Sequence, residues 1–172
     1  MENTFGQNII PENEAERLEN LRKYKIIYTQ SEPVFNELAA LAATLYQVPL
    51  AMINFVDKNQ VWTKANLGGK DGTETERGTS LCSLAILKES VTVFEDTLKE
   101  PILISNPMVA GEFGLRFYAA APITTKDGFN IGVVCILDKK SRKFTAEDQE
   151  KLAGIARLVE IEIEKRISGS TI

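Results

Sequence analysis

Histidine is absent from the 172 residues, and cysteine occurs only twice. Without an imidazole, the chain cannot build a Ser-His-Asp or Cys-His nucleophile system or an imidazole general base. Two cysteines, Cys82 and Cys135, are too few for a zinc cluster, and they lie too far apart in sequence for a CxxC redox motif. We therefore expect no bound metal and no structural disulfide.

Long apolar runs and clustered basic charge are missing as well. No run approaches the roughly 20 apolar residues that span a bilayer, and residues 1–14 lack the features of a signal peptide. The 20 basic residues are scattered among 24 acidic ones, for a net charge of −4. A protein that binds a phosphate backbone needs clustered cations. We therefore expect a cytoplasmic location, with no membrane and no direct nucleic-acid partner.

The composition that remains is that of one globular domain. Hydrophobic residues make up 44% of the chain and charged residues 26%. At this length a folded chain buries about 70% of the surface that it exposes when extended, which is enough for one self-sufficient core. We therefore expect a single domain.

Helix signals occur near both ends of the chain. Asn13 and Glu16 have the spacing of a capping box and predict a first helix. A proline suited to the first helical position predicts a second helix over residues 33–46. Thr145 and Asp148 form a further capping-box pattern, which opens a last helix of about 22 residues.

Strand signals fill the middle of the chain. Asp127 and Gly128 predict a tight hairpin turn between the last two strands. A polar loop, residues 68–78, leads into a helix that contains Cys82, and residues 97–114 show little periodicity. Hairpin-linked strands with helices at both ends favour an antiparallel α+β domain. The predicted strands are residues 50–57, 61–67, 90–96, 116–125 and 130–138.

An ordered series of motifs then runs from about residue 17 to residue 159. It comprises SEPVFNELAALAATLYQVPLAMINFVD, VWTKANLG, GTSLCSLAIL, VFED, ISNPMV, GLRFYAAAPITTKDGFNIGVVCILD and FTAEDQEKLAGIA. In this series the chain resembles the GAF domain family, the small-molecule sensor module of signalling proteins. Within that family it is most similar to the group found N-terminal to bacterial sensor kinases and diguanylate cyclases.

The resemblance implies a domain layout and a fold. One GAF domain is expected over residues 13–167, between an N-terminal tail of residues 1–12 and a C-terminal tail of residues 168–172. The fold class is α+β, with an antiparallel sheet of five to six strands, the terminal helices on one face and a ligand pocket on the other.

The resemblance also implies which residues line the pocket. For several of them a structural role is an open alternative: Trp62 as core, Tyr118 as packing, and Arg116 paired with Asp96 to brace a loop. The expected pocket residues are Trp62, Ser80, Cys82, Ser83, Phe94, Asp96, Arg116, Tyr118, Ala120 and Cys135.

Cys82 is expected to be an unreactive wall residue. In the first turn of a helix, the dipole lowers the pKa of a thiol by less than about one unit. Helical spacing places Cys82 beside Ala85 and Ile86, and burial there raises the pKa again. Nothing in the sequence indicates that Cys135, within a strand, reaches Cys82.

Three family roles lack their expected residues. A bilin-binding cysteine is usually followed by histidine, but Ser83 follows Cys82, so no covalent bilin is expected. Free methionine-R-sulfoxide reductases use about three cysteines, one of them in the segment that corresponds to residues 104–117, which has none. The NKxxxxF…DE signature of the nucleotide-binding branch cannot be placed.

We therefore expect a non-catalytic sensor of an unidentified small molecule, homodimeric through its terminal helices. The chain ends soon after the last helix, so the output is expected from a separate signalling protein, whether the chain stands alone or is an excised piece. Two alternatives stay open. One is a redox enzyme of the free methionine-R-sulfoxide reductase type that uses Cys82, and the other is a dimerisation module without a ligand.

Overall fold

The computed structural model describes residues 1–169 as a six-stranded antiparallel sheet with helices on both faces. The strand order is β3-β2-β1-β6-β5-β4. The strands are β1 (Leu50–Val56), β2 (Gln60–Leu67), β3 (Glu74–Glu76), β4 (Thr92–Phe94), β5 (Phe117–Thr124) and β6 (Asn130–Asp138). The helices are α1 (Glu14–Lys23), α2 (Pro33–Tyr46), α3 (Cys82–Ala85), α4 (Pro107–Ala110) and α5 (Ala146–Gly169).

The sheet is two hairpins joined through their inner strands. β1 pairs with β2, β5 pairs with β6, and the central ladder pairs β1 with β6, all antiparallel. The predicted α+β class and antiparallel sheet are confirmed. β3 falls in the segment predicted as a polar loop, because its three residues are all exposed and carry no apolar alternation.

Alternation along each strand divides the core into two layers. On β1, Ile53 and Phe55 face a layer that also contains residues of α1, α2 and α5, and we call this side of the sheet the helix face. Met52 and Val56 face the opposite layer, which contains α3 and which we call the cavity face. Phe5 and Ile9, within the segment predicted as an N-terminal tail, are buried in that second layer.

The two predicted capping boxes have different outcomes. At α5, Asp148 N donates to Thr145 Oγ1 at 3.1 Å and Thr145 N donates to Asp148 Oδ2 at 2.9 Å, which confirms that box. At α1, Asn13 makes no side-chain capping hydrogen bond, so that box is not formed. α5 continues through residues 168 and 169 of the predicted C-terminal tail, and residues 170–172 lie outside the described part of the chain.

A bulge in β2 carries a buried ion pair on the helix face. Lys64 is the extra residue between Thr63 and Ala65, where the register with β1 shifts. Its ammonium group is fully buried and lies 2.6 Å from a carboxylate oxygen of Glu32, at the start of α2. Arg166 on α5 donates to both oxygens of the same carboxylate, at 2.8 and 2.9 Å. The network therefore joins the sheet, α2 and the C-terminal part of α5.

Over the described residues, no helix combines the length and the hydropathy that a bilayer crossing requires.

Gly132 is expected to be indispensable to the central ladder. A Cβ atom at this position would lie 2.2 Å from the carbonyl oxygen of Asn54 on β1, and backbone cannot move aside cheaply. Gly132→Ala should lower the free energy of unfolding by about 1–3 kcal/mol, measured by urea denaturation. The matched control is Gly154→Ala on α5, where the nearest atom, on Arg157, is 3.7 Å away. That variant should be neutral or more stable, and an equal loss in both would contradict the prediction.

Candidate functional site

A small cavity of about 80 Å³ lies on the cavity face, between the sheet and the segment that leads into α3. It has room for a few water-sized molecules, far less than the roughly 300–1,000 Å³ of typical ligand pockets. None of the side chains around it is charged. They belong to Met52, Asn54, Val61, Thr63, Thr75, Thr79, Ser80, Leu81, Cys82, Met108, Leu115, Tyr118 and Leu137.

Both cysteines of the chain meet beside this cavity. The amide nitrogen of Asn54 lies 3.3 Å from the sulfur of Cys82 and 3.7 Å from the sulfur of Cys135. The hydroxyl of Tyr118 donates to Cys82 Sγ at 3.3 Å. Contrary to the sequence-based expectation, Cys135 lies close to Cys82, since one amide nitrogen contacts both sulfurs. The two meet because alternation along β6 directs the side chain of Cys135 to the cavity face.

The hydrogen bonds change the ionisation of the cysteine pair. The hydrogen bond from Cys135 lowers the pKa of Cys82, and donation from Tyr118 and Asn54 adds to the effect and outweighs burial. The pKa of Cys135 is raised well above its ordinary value, mainly because its proton is held in the bond to Cys82. Burial and the charge on Cys82 raise the pKa of Tyr118, which stays a donor.

These pKa directions correct the expectation for Cys82. The sequence predicts a thiol governed by a helix dipole and by apolar burial. α3 has only four residues, so it provides one turn and no long helix behind the sulfur. The donors from β1, β5 and β6 decide the ionisation, and they come from distant parts of the sequence.

Asn54 is the most polar of the lining residues that the sequence did not predict. Its side chain is buried at 4% exposure, and its Oδ1 atom has no hydrogen-bond partner within residues 1–169. A buried acceptor without a partner costs about 1–3 kcal/mol. The signal in the sequence was a single polar residue in the otherwise apolar strand LAMINFV.

Six of the ten predicted pocket residues lie at or beside the cavity. Ser80, Cys82 and Tyr118 line it directly. Phe94 stacks on Tyr118 with ring centroids 6.3 Å apart. Ala120 lies opposite Cys135 in the ladder between β5 and β6, so these two residues form the wall behind the lining.

The other four residues have structural partners elsewhere. Trp62 is on the helix face, opposite Phe55 in the ladder, and its ring packs against Tyr28 at 5.1 Å. Ser83 donates to the carbonyl of Arg77 at 2.6 Å.

Asp96 and Arg116 bind different groups. Asp96 accepts from Leu98 N at 3.1 Å and caps a 3₁₀ turn, Thr97–Lys99. The guanidinium group of Arg116 donates to the carbonyl oxygens of Val109 and Leu115 at 3.0 and 2.9 Å. Each residue therefore holds the backbone of a loop, but the two side chains do so through separate hydrogen bonds and not as a pair.

Comparisons with known proteins agree with this fold. The family model described as GAF domain matches residues 30–163, which confirms the family that the motif series indicates. A cyclic di-GMP phosphodiesterase of Pseudomonas aeruginosa is 36% identical over 150 residues, which cover 87% of this chain and 25% of the relative. The chain therefore spans about a quarter of the length of that curated relative.

Two solved structures show the same fold at low sequence identity. The GAF domain of an Acinetobacter phosphoenolpyruvate-protein phosphotransferase has a TM-score of 0.64 and 16% identity, covering 91% of this chain and 98% of that one. The type II free methionine-R-sulfoxide reductase of Thermoplasma acidophilum has a TM-score of 0.60 and 22% identity, covering 77% and 93%.

The prediction that the chain is not an enzyme is contradicted by these comparisons. The curated relative is named as a phosphodiesterase, and the structural neighbours include free methionine-R-sulfoxide reductases. The chain lacks a histidine and a third cysteine, on which that prediction depended, but the two cysteines that are present lie close together around Asn54.

The hydroxyl of Tyr118 should contribute to the low pKa of Cys82. Tyr118→Phe removes one donor to the sulfur and should raise the pKa of Cys82 by about 1, measured by the ultraviolet absorbance of the thiolate against pH. The control is Tyr46→Phe, whose hydroxyl donates instead to the carbonyl of Asp148. If both variants titrate like the parent protein, Tyr118 has no such role.

Proposed function

The chain belongs to the GAF domain family, and we infer that it is a sensory domain whose cavity binds a small uncharged molecule. The observation that carries this proposal is that Asn54 lines the cavity and that its buried Oδ1 atom has no hydrogen-bond partner within residues 1–169. A ligand with an N–H or O–H group would satisfy that acceptor and recover its desolvation cost.

The lining indicates the chemistry of the ligand. Hydroxyl groups of Thr63, Thr79 and Ser80 surround the cavity together with apolar side chains such as Leu115 and Leu137. A charged ligand would lose its hydration without gaining an opposite charge, which is costly in a buried site. The volume of about 80 Å³ favours a molecule of only a few heavy atoms unless the cavity opens.

Cyclic di-GMP, named as the substrate of the curated relative, does not fit this description, since it is large and carries two phosphates. The chain covers a quarter of that relative, and we propose that it corresponds to a regulatory part of such a protein. In this proposal the output is made by another domain or a partner protein.

A route from the cavity to the terminal helices runs through the bulge in β2. Thr63 lines the cavity, and the next residue, Lys64, binds Glu32 on the opposite face of the sheet. Glu32 in turn binds Arg166 near the end of α5. We propose that a ligand which displaces Thr63 moves the bulge and so changes the position of α5.

A homodimer is proposed through α2 and α5. These helices pack on one another, and large apolar side chains remain exposed on both. Leu41 and Leu45 on α2 are 45% and 44% exposed, and Leu158 and Ile161 on α5 are 43% and 53% exposed. A second copy that covers this surface would place two copies of α5 together, where a shift of one helix is transmitted to an output.

Ligand binding is tested with two molecules of equal size that differ in donor capacity. Acetamide and acetone each have four heavy atoms, but only acetamide has N–H groups for Asn54 Oδ1, so acetamide should bind about tenfold more tightly. Binding is measured by NMR titration, from the backbone signals of Thr63 and Ser80. In Asn54→Leu this preference should disappear, whereas Asn36→Leu on α2 should retain it. Equal binding of acetamide and acetone to the parent protein would contradict the proposed role of Asn54.

The dimer is tested by light scattering after chromatography. Ile161→Lys places a charge in the proposed interface and should convert dimer to monomer, because an unpaired buried charge is strongly unfavourable. Leu98→Lys is the matched control, since Leu98 is also exposed, at 55%, but lies in the 3₁₀ turn away from α2 and α5. A monomeric parent protein, or a dimer unaffected by Ile161→Lys, would refute this interface.

A further inference from the structure

The cysteine pair has an asymmetry that suggests chemistry of its own. Cys82 lines the cavity, whereas Cys135 is not among the lining residues and lies behind Asn54, 3.7 Å from its amide nitrogen. A small reagent in the cavity therefore meets the sulfur of Cys82 first. The sulfur of Cys135 is near that sulfur, because the amide nitrogen of Asn54 lies 3.3 Å from Cys82 Sγ and 3.7 Å from Cys135 Sγ.

The hydrogen bonds around the two sulfurs give them different roles. Cys82 accepts from Tyr118 and Asn54, both at 3.3 Å. These donors favour the thiolate, which is the nucleophilic form of cysteine. The pKa of Cys135 is raised well above its ordinary value, mainly by its interaction with Cys82, so Cys135 keeps its proton. Cys82 is therefore suited to attack an oxidant, and Cys135 is suited to attack the oxidised sulfur of Cys82 afterwards.

The cavity selects a small neutral oxidant. Its volume of about 80 Å³ accommodates hydrogen peroxide, which has two heavy atoms, but is tight for a branched alkyl hydroperoxide. No charged side chain lines it, so an anionic oxidant gains no compensation for lost hydration. The unpartnered Oδ1 atom of Asn54 can accept a hydrogen bond from the O–H of peroxide next to Cys82.

We propose that hydrogen peroxide oxidises Cys82 in this cavity and that Cys135 then closes a Cys82–Cys135 disulfide. The inference is independent of whether the cavity binds another metabolite. It assigns a redox site to two residues that the fold brings together, and it makes the domain responsive to peroxide.

The chemistry balances in two steps. The thiolate of Cys82 attacks one peroxide oxygen; an S–O bond forms, the O–O bond breaks, and the hydroxide that leaves takes a proton from solvent to become water. The sulfur of Cys135 then attacks the sulfenic sulfur of Cys82; an S–S bond forms, the S–O bond breaks, and the leaving hydroxide takes the Cys135 proton. Peroxide is reduced to two molecules of water, and two thiols become one disulfide.

The test begins with the unmodified protein, so it does not depend on any variant folding. The reduced protein is treated with hydrogen peroxide, and intact mass and non-reducing peptide mapping are recorded with time. The expected product has lost two hydrogen atoms and contains a Cys82–Cys135 linked peptide within one chain. Failure to form this link, or links only between chains, would overturn the proposal.

Variants then assign the order of the two steps. Cys135→Ser and Cys135→Ala should both stop at the sulfenic acid of Cys82, which dimedone traps. Cys82→Ser should leave Cys135 reduced under the same conditions. Prior oxidation of Cys135 in the parent protein or in Cys82→Ser would refute the assigned roles.

Oxidant size and pH separate this site from an ordinary thiol. tert-Butyl hydroperoxide should react at least about tenfold more slowly than hydrogen peroxide, and equal rates would refute selection by the cavity. Between pH 7 and 9 an ordinary thiol becomes about 20-fold more reactive as it ionises, whereas Cys82 should change much less. If free methionine-R-sulfoxide forms the disulfide and hydrogen peroxide does not, the site is a reductase and the peroxide proposal is wrong.

Discussion

The pairing of β1 with β6 is the constraint on which the rest of the structure depends. It joins two hairpins that are distant in sequence and fixes the faces to which all their side chains point. In this register Met52 lies opposite Cys135, so Asn54 comes within 3.7 Å of a sulfur that is 81 positions away. A slip of one residue would send Asn54 and Cys135 to opposite faces. Both the apolar core on the helix face and the polar cluster on the cavity face therefore follow from one ladder.

The polar cluster shows how hydrogen bonds oppose burial. Cys82 is 3% exposed, and burial alone would favour its neutral thiol. Donors from three strands converge on its sulfur and reverse that preference. Asn54, which lines the cavity and donates to both sulfurs, has a buried acceptor without a partner in the described part of the chain. The sulfur of Cys82 is thus stabilised by its donors, whereas the Oδ1 atom of Asn54 has no donor among the described residues. A small polar ligand or oxidant with an O–H or N–H group would satisfy that acceptor.

The two faces of the sheet are connected at the bulge in β2. Thr63 and Lys64 are adjacent in the chain but point to opposite faces, one to the cavity and the other to an ion pair beneath α2 and α5. A fully buried ammonium group is tolerable only while Glu32 stays in place, because an unpaired charge there would be strongly destabilising. This requirement ties the geometry of the cavity wall to the helices proposed to form the dimer.

The sequence by itself determined the elements that depend on local patterns. Helical periodicity and the Thr145–Asp148 box gave α5, alternation gave the long strands, and the ordered motifs gave the family. Local patterns failed where a long-range contact decided the outcome. The exposed strand β3 exists because β2 pairs with it, Trp62 points away from the cavity because of its place in the ladder, and the Asn13 cap is not formed. The ionisation of Cys82 was decided only by tertiary structure, because its donors Cys135, Tyr118 and Asn54 meet only once the central ladder has formed.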